Sequence, residues 1–253
     1  MRHQPLSARG VPLVAVAHGS RDPRAAATVE ELLDLVRRSS GVRVVTSYLD
    51  HAPPAPGQAL GGLVGEGADE AVVLPLLLTA AYHSKTDIPG ALREARAAHP
   101  RLTLHYGATL GPHPLMTTAL ERRLAEVGIR PDPDTAVVLA AAGSSDPAAN
   151  ATIGRMARSR RGWRTVVPAY ASAARPTPAE AVRALYDAGT PRVVVASYFL
   201  APGFFADKVR EESLAAGAVA VSPALGAVPE LAEITAQRYR EALVRAERVA
   251  AAG

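Results

Sequence analysis

The sequence predicts an α/β fold built as two similar halves, each a parallel sheet with helices on both faces. Three observations predict it. Apolar strand-like runs alternate with helix-like segments along all 253 residues, which is the pattern of βαβ units and a parallel sheet. The alternation then recurs with an offset of roughly 120 residues, so that the chain reads as an internal repeat. Finally, the strands end in turn residues followed by a proline that suits the first position of a helix.

The elements follow in order. Strands are expected over 11–17, 42–49, 70–78 and 101–107, with helices starting near Pro23, Pro54, Asp87 and Pro114. The second set of strands is expected near 135–141, 164–170, 192–200 and 217–222, with helices from Pro147, Pro178, Phe205 and Pro229. Asp22 and Asp146 suit helix N-caps. The repeat is visible residue by residue. His18-Gly19-Ser20-Arg21-Asp22-Pro23 matches Ala142-Gly143-Ser144-Ser145-Asp146-Pro147, Val44 to Tyr48 matches Val166 to Tyr170, and Val72 to Leu78 matches Val193 to Phe199. The polar, proline-rich stretch Gly128–Asp134 joins the halves, which gives domains of 1–130 and 131–253.

Composition narrows the function. Hydrophobic residues make up 48% of the chain and aromatics only 4%, so the core is one of Ala, Val and Leu. Without cysteine there are no disulfides, no thiolate metal sites and no cysteine nucleophile. No apolar run approaches membrane-spanning length and no signal-peptide pattern is seen, which reads as a soluble, cytoplasmic protein. The net charge is +4 and is carried almost wholly by arginine, Lys85 and Lys208 being the only lysines. GC-rich coding explains that bias, and so does a polyanionic ligand held by bidentate guanidinium groups. The charges are scattered, with no basic run interleaved with aromatics, so nucleic acid is not the expected partner.

The seven histidines, His3, His18, His51, His83, His99, His105 and His113, all lie in the first half. Ala142 stands where His18 stands, and an ungapped reading puts Phe204 opposite His83. Chemistry that needs imidazole therefore belongs to the first half, and the second keeps the scaffold. His18, Asp50 and His83 each follow a strand, and parallel strands bring their carboxyl ends to one edge, where open α/β sheets bind ligands. Two imidazoles and a carboxylate can hold a first-row divalent metal with open positions, or the imidazoles can act as general bases near neutral pH. His51 is read as pointing away from that edge. His113 either lines the same edge or caps a helix, and Lys85 either meets an anionic ligand or is merely solvated. Competing motifs fail: there is no Gly-x-Gly-x-x-Gly, no Walker loop, Pro147 stands where a nucleophile elbow needs glycine, and Ala17 replaces the arginine of a phosphatase-type Arg-His-Gly.

Four motifs stand in order: the strand leading to His18-Gly19-Ser20-x-Asp22-Pro23, Tyr48-Leu49-Asp50-His51-Ala52-x-Pro54, Pro75-Leu76-Leu77-Leu78 with His83 and Asp87-Ile88-Pro89, and Leu110-Gly111-Pro112-His113-Pro114. In this order they resemble the class II chelatases of the CbiX/SirB sirohydrochlorin type. The resemblance covers nearly the whole chain. It implies two flavodoxin-like halves facing across a cleft, and insertion of Fe2+ or Co2+ into sirohydrochlorin for sirohaem or cobalamin. His18 and His83 match the family's metal-handling histidines and are the expected catalytic residues. Asp50 is the third expected metal donor and stands where the family usually has glutamate. The metal is a substrate and no organic cofactor is expected. The tetrapyrrole is a polycarboxylate, suited to arginine. The repeat suggests a monomer with internal pseudo-twofold symmetry and no membrane partner. A non-catalytic metal or tetrapyrrole carrier on the same scaffold is the alternative, and a hydrolase using His18 lacks its partner residues.

Overall fold

The computed structural model describes residues 10–80, 83–159 and 161–252, the side chains of His83, Val249, Ala250 and Ala252 excepted. Two four-stranded parallel sheets are formed. The first holds β1 (Leu13–Ala17), β2 (Val44–Tyr48), β3 (Glu70–Pro75) and β4 (Thr103–Tyr106) in the order β2-β1-β3-β4. The second holds β5 (Thr135–Ala141), β6 (Thr165–Tyr170), β7 (Arg192–Tyr198) and β8 (Ala220–Val221) in the order β6-β5-β7-β8. Both orders reverse direction beside the first strand, which creates a topological switch point between β1 and β3 and another between β5 and β7.

The helices are α1 (Pro23–Ser40), α2 (Pro56–Gly65), α3 (Ile88–Ala98), α4 (Pro114–Glu126), α5 (Pro147–Arg158), α6 (Pro178–Asp187), α7 (Phe204–Ala215) and α8 (Pro229–Ala252). Their starts follow from capping chemistry. The Asp22 carboxylate accepts from the Arg24 N–H and Asp146 from the Ala148 N–H, each with proline at the next position. Thr177 and Glu180 form a reciprocal capping box ahead of α6. Gly41, at φ 67°, ends α1 in the left-handed region that glycine tolerates best. The sheets are covered on both faces. Every residue of β1 and of β5 is buried, and α1 turns Val29, Leu32, Leu33 and Val36 inward. Each such side chain contributes about 1.5–3 kcal/mol of transfer free energy.

Strand register confirms the repeat and corrects one part of it. Ala17 pairs with Tyr48 as Ala141 pairs with Tyr170. Leu13 pairs with Val72, however, and its counterpart Val137 pairs with Val194. Val72 is therefore equivalent to Val194 rather than Val193, and the ungapped counterpart of His83 becomes Phe205 rather than Phe204. The reason is that a run of three valines, Val193-Val194-Val195, has no landmark of its own, and only the backbone ladder selects the register.

Packing divides the chain into two compact units that do not follow the order of the repeat. One unit comprises the residues through Gly111 together with those from Leu231 onward, and the other comprises Pro112–Glu230. The helix after β4 and the helix after β8 are thus traded. In the first unit, the Tyr239 hydroxyl of α8 donates to the Val11 carbonyl at 2.6 Å and Arg238 donates to the Thr109 carbonyl at 3.0 Å. A Cβ on Gly107 would fall 2.0 Å from the Leu74 side chain, which would have to shift, and 3.5 Å from Ala242 of α8. In the second unit, Arg122 of α4 makes a bidentate pair with the buried carboxylate of Glu230, and Arg123 donates to the Leu225 carbonyl at 2.8 Å. Near the expected boundary, Gly128 and Ile129 close the end of α4 against the Ala125 and Leu124 carbonyls, inside the second unit.

Candidate functional site at the edge of the first sheet

His18 is the first residue beyond β1 and is exposed. Its backbone is fixed by the sheet. The Leu49 N–H donates to the Ala17 carbonyl and the Asp50 N–H to the His18 carbonyl, both at 3.0 Å. Gly19, at φ 92°, lies so close to this crossing that a Cβ would sit 1.8 Å from the Asp50 carbonyl oxygen. Ser20 then accepts from the Asp22 N–H at 3.0 Å, and Arg24 clamps the Asp22 carboxylate with its Nε and Nη2. Hydrogen bonding by the Arg24 side chain holds the Asp22 carboxyl below the usual carboxylate range. His18 therefore stands on a turn with little freedom, ahead of a well-capped helix.

The second half repeats this turn without the histidine and the aspartate. The Ser172 N–H donates to the Ala142 carbonyl at 2.9 Å, and a Cβ on Gly143 would meet the Ser172 carbonyl at 2.0 Å. Ser144 accepts from the Asp146 N–H at 3.0 Å. Ala142 thus replaces His18 and Ser172 replaces Asp50 on the same backbone. The Ser172 hydroxyl is turned into the scaffold, donating to the Ala142 carbonyl at 3.0 Å.

Past β3 the ladder continues for two residues: Leu76 N–H donates to the Val16 carbonyl and Leu77 accepts from the Leu110 N–H. A π-helical turn, His83–Asp87, then runs directly into α3. Such turns are rare and concentrate at functional sites. The turn is pinned from β4, where the Tyr106 hydroxyl donates to the Ser84 carbonyl at 2.7 Å. Burial pushes the Tyr106 hydroxyl up to about 12, so it remains a donor through the neutral range. Ser84 and Ile88 are buried, whereas Lys85 is exposed. The backbone of His83 opens this turn, and its side chain lies outside the described residues. His18 and the His83 turn follow β1 and β3, the two strands that flank the switch point, while Asp50 follows β2.

The Asp50 carboxylate is engaged by its own neighbour. Its Oδ1 accepts from the His51 N–H at 2.8 Å, and its Oδ2 lies 3.3 Å from His51 Nε2. The expectation that His51 points elsewhere is thereby corrected. His51 adopts φ 63°, and a residue in that left-handed region does not alternate with its neighbour as strand residues do. Two further histidines have structural tasks. His113 caps α4, its Nδ1 accepting from the Leu115 N–H at 3.2 Å, and His105 Nε2 pairs with Glu70 Oε1 at 2.5 Å. Among the described residues, no three His, Asp or Glu side chains stand close enough to hold a metal ion. No helix among them is long and apolar enough to cross a membrane.

The duplicated parallel α/β scaffold is the arrangement that the comparisons match. The fold is that of the chelatases: a solved structure of SirB from Bacillus subtilis with Fe3+ superposes with a TM-score of 0.81, at 23% identity, over 93% of this chain and 96% of that one. The chain belongs to the CbiX family, whose model matches twice, at residues 12–127 and 136–242. It is 31% identical over 204 residues to a sirohydrochlorin cobaltochelatase of Priestia megaterium, covering 78% of this chain and 66% of that relative. It is 26% identical over 243 residues to a sirohydrochlorin ferrochelatase of Bacillus subtilis (strain 168), covering 93% of both.

Proposed function

We propose that this CbiX-family protein is a metal chelatase that inserts a divalent ion, Fe2+ or Co2+, into sirohydrochlorin. The observation that carries the reading is the one-sided edge. The family's fold is present twice, yet only the first sheet presents His18, Asp50 and the His83 turn where the second presents Ala142, Ser172 and the start of α7. Metallation must strip water from the ion and remove two pyrrole protons. His18 and His83 serve as neutral nitrogen donors that hold the ion briefly and accept those protons, and Asp50 supplies the anionic donor. A donor set without thiolate suits a metal that has to be released. The arginine-rich surface orients the carboxylate rim of the tetrapyrrole. The chain acts in the cytoplasm, as a monomer in which the repeat stands in for a second copy, with the first half as the chemical one.

The test is anaerobic metallation, followed by the absorbance of sirohydrochlorin with each ion. Wild-type protein is expected to outrun the spontaneous reaction clearly. Replacement of a proton-accepting group costs about 10²–10⁴ in rate, so His18→Ala and His83→Ala should each fall by that order. Metallation no faster than in buffer would sink the enzymatic reading, and full activity in both variants would remove these histidines from it.

A further inference from the structure

We propose that Asp50 and His51 together form a two-donor loading site for a first-row divalent cation at the rim of the first sheet. The proposal deepens the chelatase reading and rests on it only for the use to which the cation is put. The observation is the pairing itself. Asp50 Oδ2 and His51 Nε2 lie 3.3 Å apart on exposed residues. That separation is long for a charge-assisted hydrogen bond, for which about 2.7–2.9 Å is usual. It matches the edge of a metal polyhedron. Ligand bonds of about 2.0–2.2 Å place adjacent N and O donors about 3.0 Å apart in an octahedron and about 3.4 Å apart in a tetrahedron.

The backbone shows why adjacent residues can chelate. In a strand, neighbouring side chains point to opposite faces. Here the Ala52 N–H returns to the Asp50 carbonyl at 2.8 Å around His51 at φ 63°, a γ-turn of the strained hand. The turn sets the imidazole beside the carboxylate, and the His51 N–H fixes Oδ1 at 2.8 Å, leaving Oδ2 toward Nε2. The second half keeps the same turn, with Ala173 at φ 56° and the Ala174 N–H 2.7 Å from the Ser172 carbonyl. There the turn carries a serine and an alanine and offers no donor pair. The turn is thus scaffold in both halves and is equipped with metal-ligand side chains only beside His18, to whose carbonyl the Asp50 amide is bonded. Two donors on an open rim bind weakly, with water in the remaining positions, which suits an ion that must move on.

The experiment is a Co2+ titration of the full-length protein without tetrapyrrole, read by calorimetry and by the visible absorption of cobalt. His51→Gly removes the imidazole while tolerating the positive φ, and His51→Asn does so with a side chain that also tolerates it. Both are expected to weaken Co2+ binding at least tenfold. His18→Ala is expected to retain a Co2+ equivalent that disappears when His51→Gly is added. Wild-type affinity in both His51 variants overturns the proposal, as does loss of all Co2+ binding in His18→Ala alone. The titration contains no sirohydrochlorin, so its outcome is separate from that of the metallation assay.

Discussion

The amide of Asp50 donates to the carbonyl of His18 at 3.0 Å, and Gly19 lies beneath that crossing with no room for a side chain. The positions of two expected site residues are therefore one backbone feature, continued from the β1–β2 ladder. Gly19→Ala must both adopt φ 92° and displace the Asp50 carbonyl. A loss of about 2 kcal/mol or more is expected in urea unfolding. Gly143→Ala should cost a similar amount, since its Cβ would meet the Ser172 carbonyl at 2.0 Å. Wild-type stability in Gly19→Ala would contradict this register.

Tyr106→Phe tests the anchor of the His83 turn. The variant leaves the Ser84 carbonyl without its hydroxyl donor, a loss of about 1 kcal/mol. Metallation should fall more than stability does, because the turn that carries His83 gains freedom. Unchanged rates at saturating metal would show that the turn is held by the packing of Ile88 and Leu92 alone.

The tyrosines predict a one-sided pH profile. Burial raises the hydroxyls of Tyr48, Tyr106, Tyr170, Tyr198 and Tyr239 above their ordinary value of 10.0. The unfolded chain releases these protons near pH 10, and the folded chain keeps them longer. The stability they contribute is complete below about pH 10 and is lost as pH rises through the folded values, about 12 for Tyr106. Denaturant midpoints between pH 9 and pH 11.5 should fall steadily, while the tyrosinate absorbance of folded protein lags behind that of unfolded protein. Coincident titration of the two forms would refute this.

Stopping the chain after Glu230 removes the Tyr239 and Arg238 hydrogen bonds and the cover over Gly107. The first unit is then expected to lose amide protection in β1, β3 and β4, whereas 112–230 should retain it. Hydrogen exchange by mass spectrometry separates these cases, and equal protection of both sheets would argue against the traded helix.

Much of this was legible in the sequence for physical reasons. Buried parallel strands are continuous apolar runs, and β5 is found at 135–141 as expected. The Asp-Pro pairs at 22–23 and 146–147 start helices because one residue caps and the other has no N–H to lose. Strand ends were less legible: 70–78 shortens to Glu70–Pro75, since an apolar run continues into the loop. The helix expected near Asp87 is preceded by a π-helical turn from His83, which no propensity marks. The meeting of Asp50 with His51 depends on one positive φ at a non-glycine residue, and no sequence period encodes that. The trade of α4 and α8 was hidden for another reason. Both helices follow the strand and proline signals of their own half, and those local signals do not say which sheet a helix covers.

That trade has a consequence for how the protein comes into being. The residues of the first sheet leave the ribosome first, yet Tyr239, Arg238 and Ala242, which complete their packing, are made last. Domains ordinarily fold as units in order of synthesis, the earliest first. Here the helix that completes the first unit is synthesised only after the whole of 112–230, whereas the second unit has α4 upstream of its own strands. In the order of synthesis, the cover of the first sheet is therefore completed after that of the second.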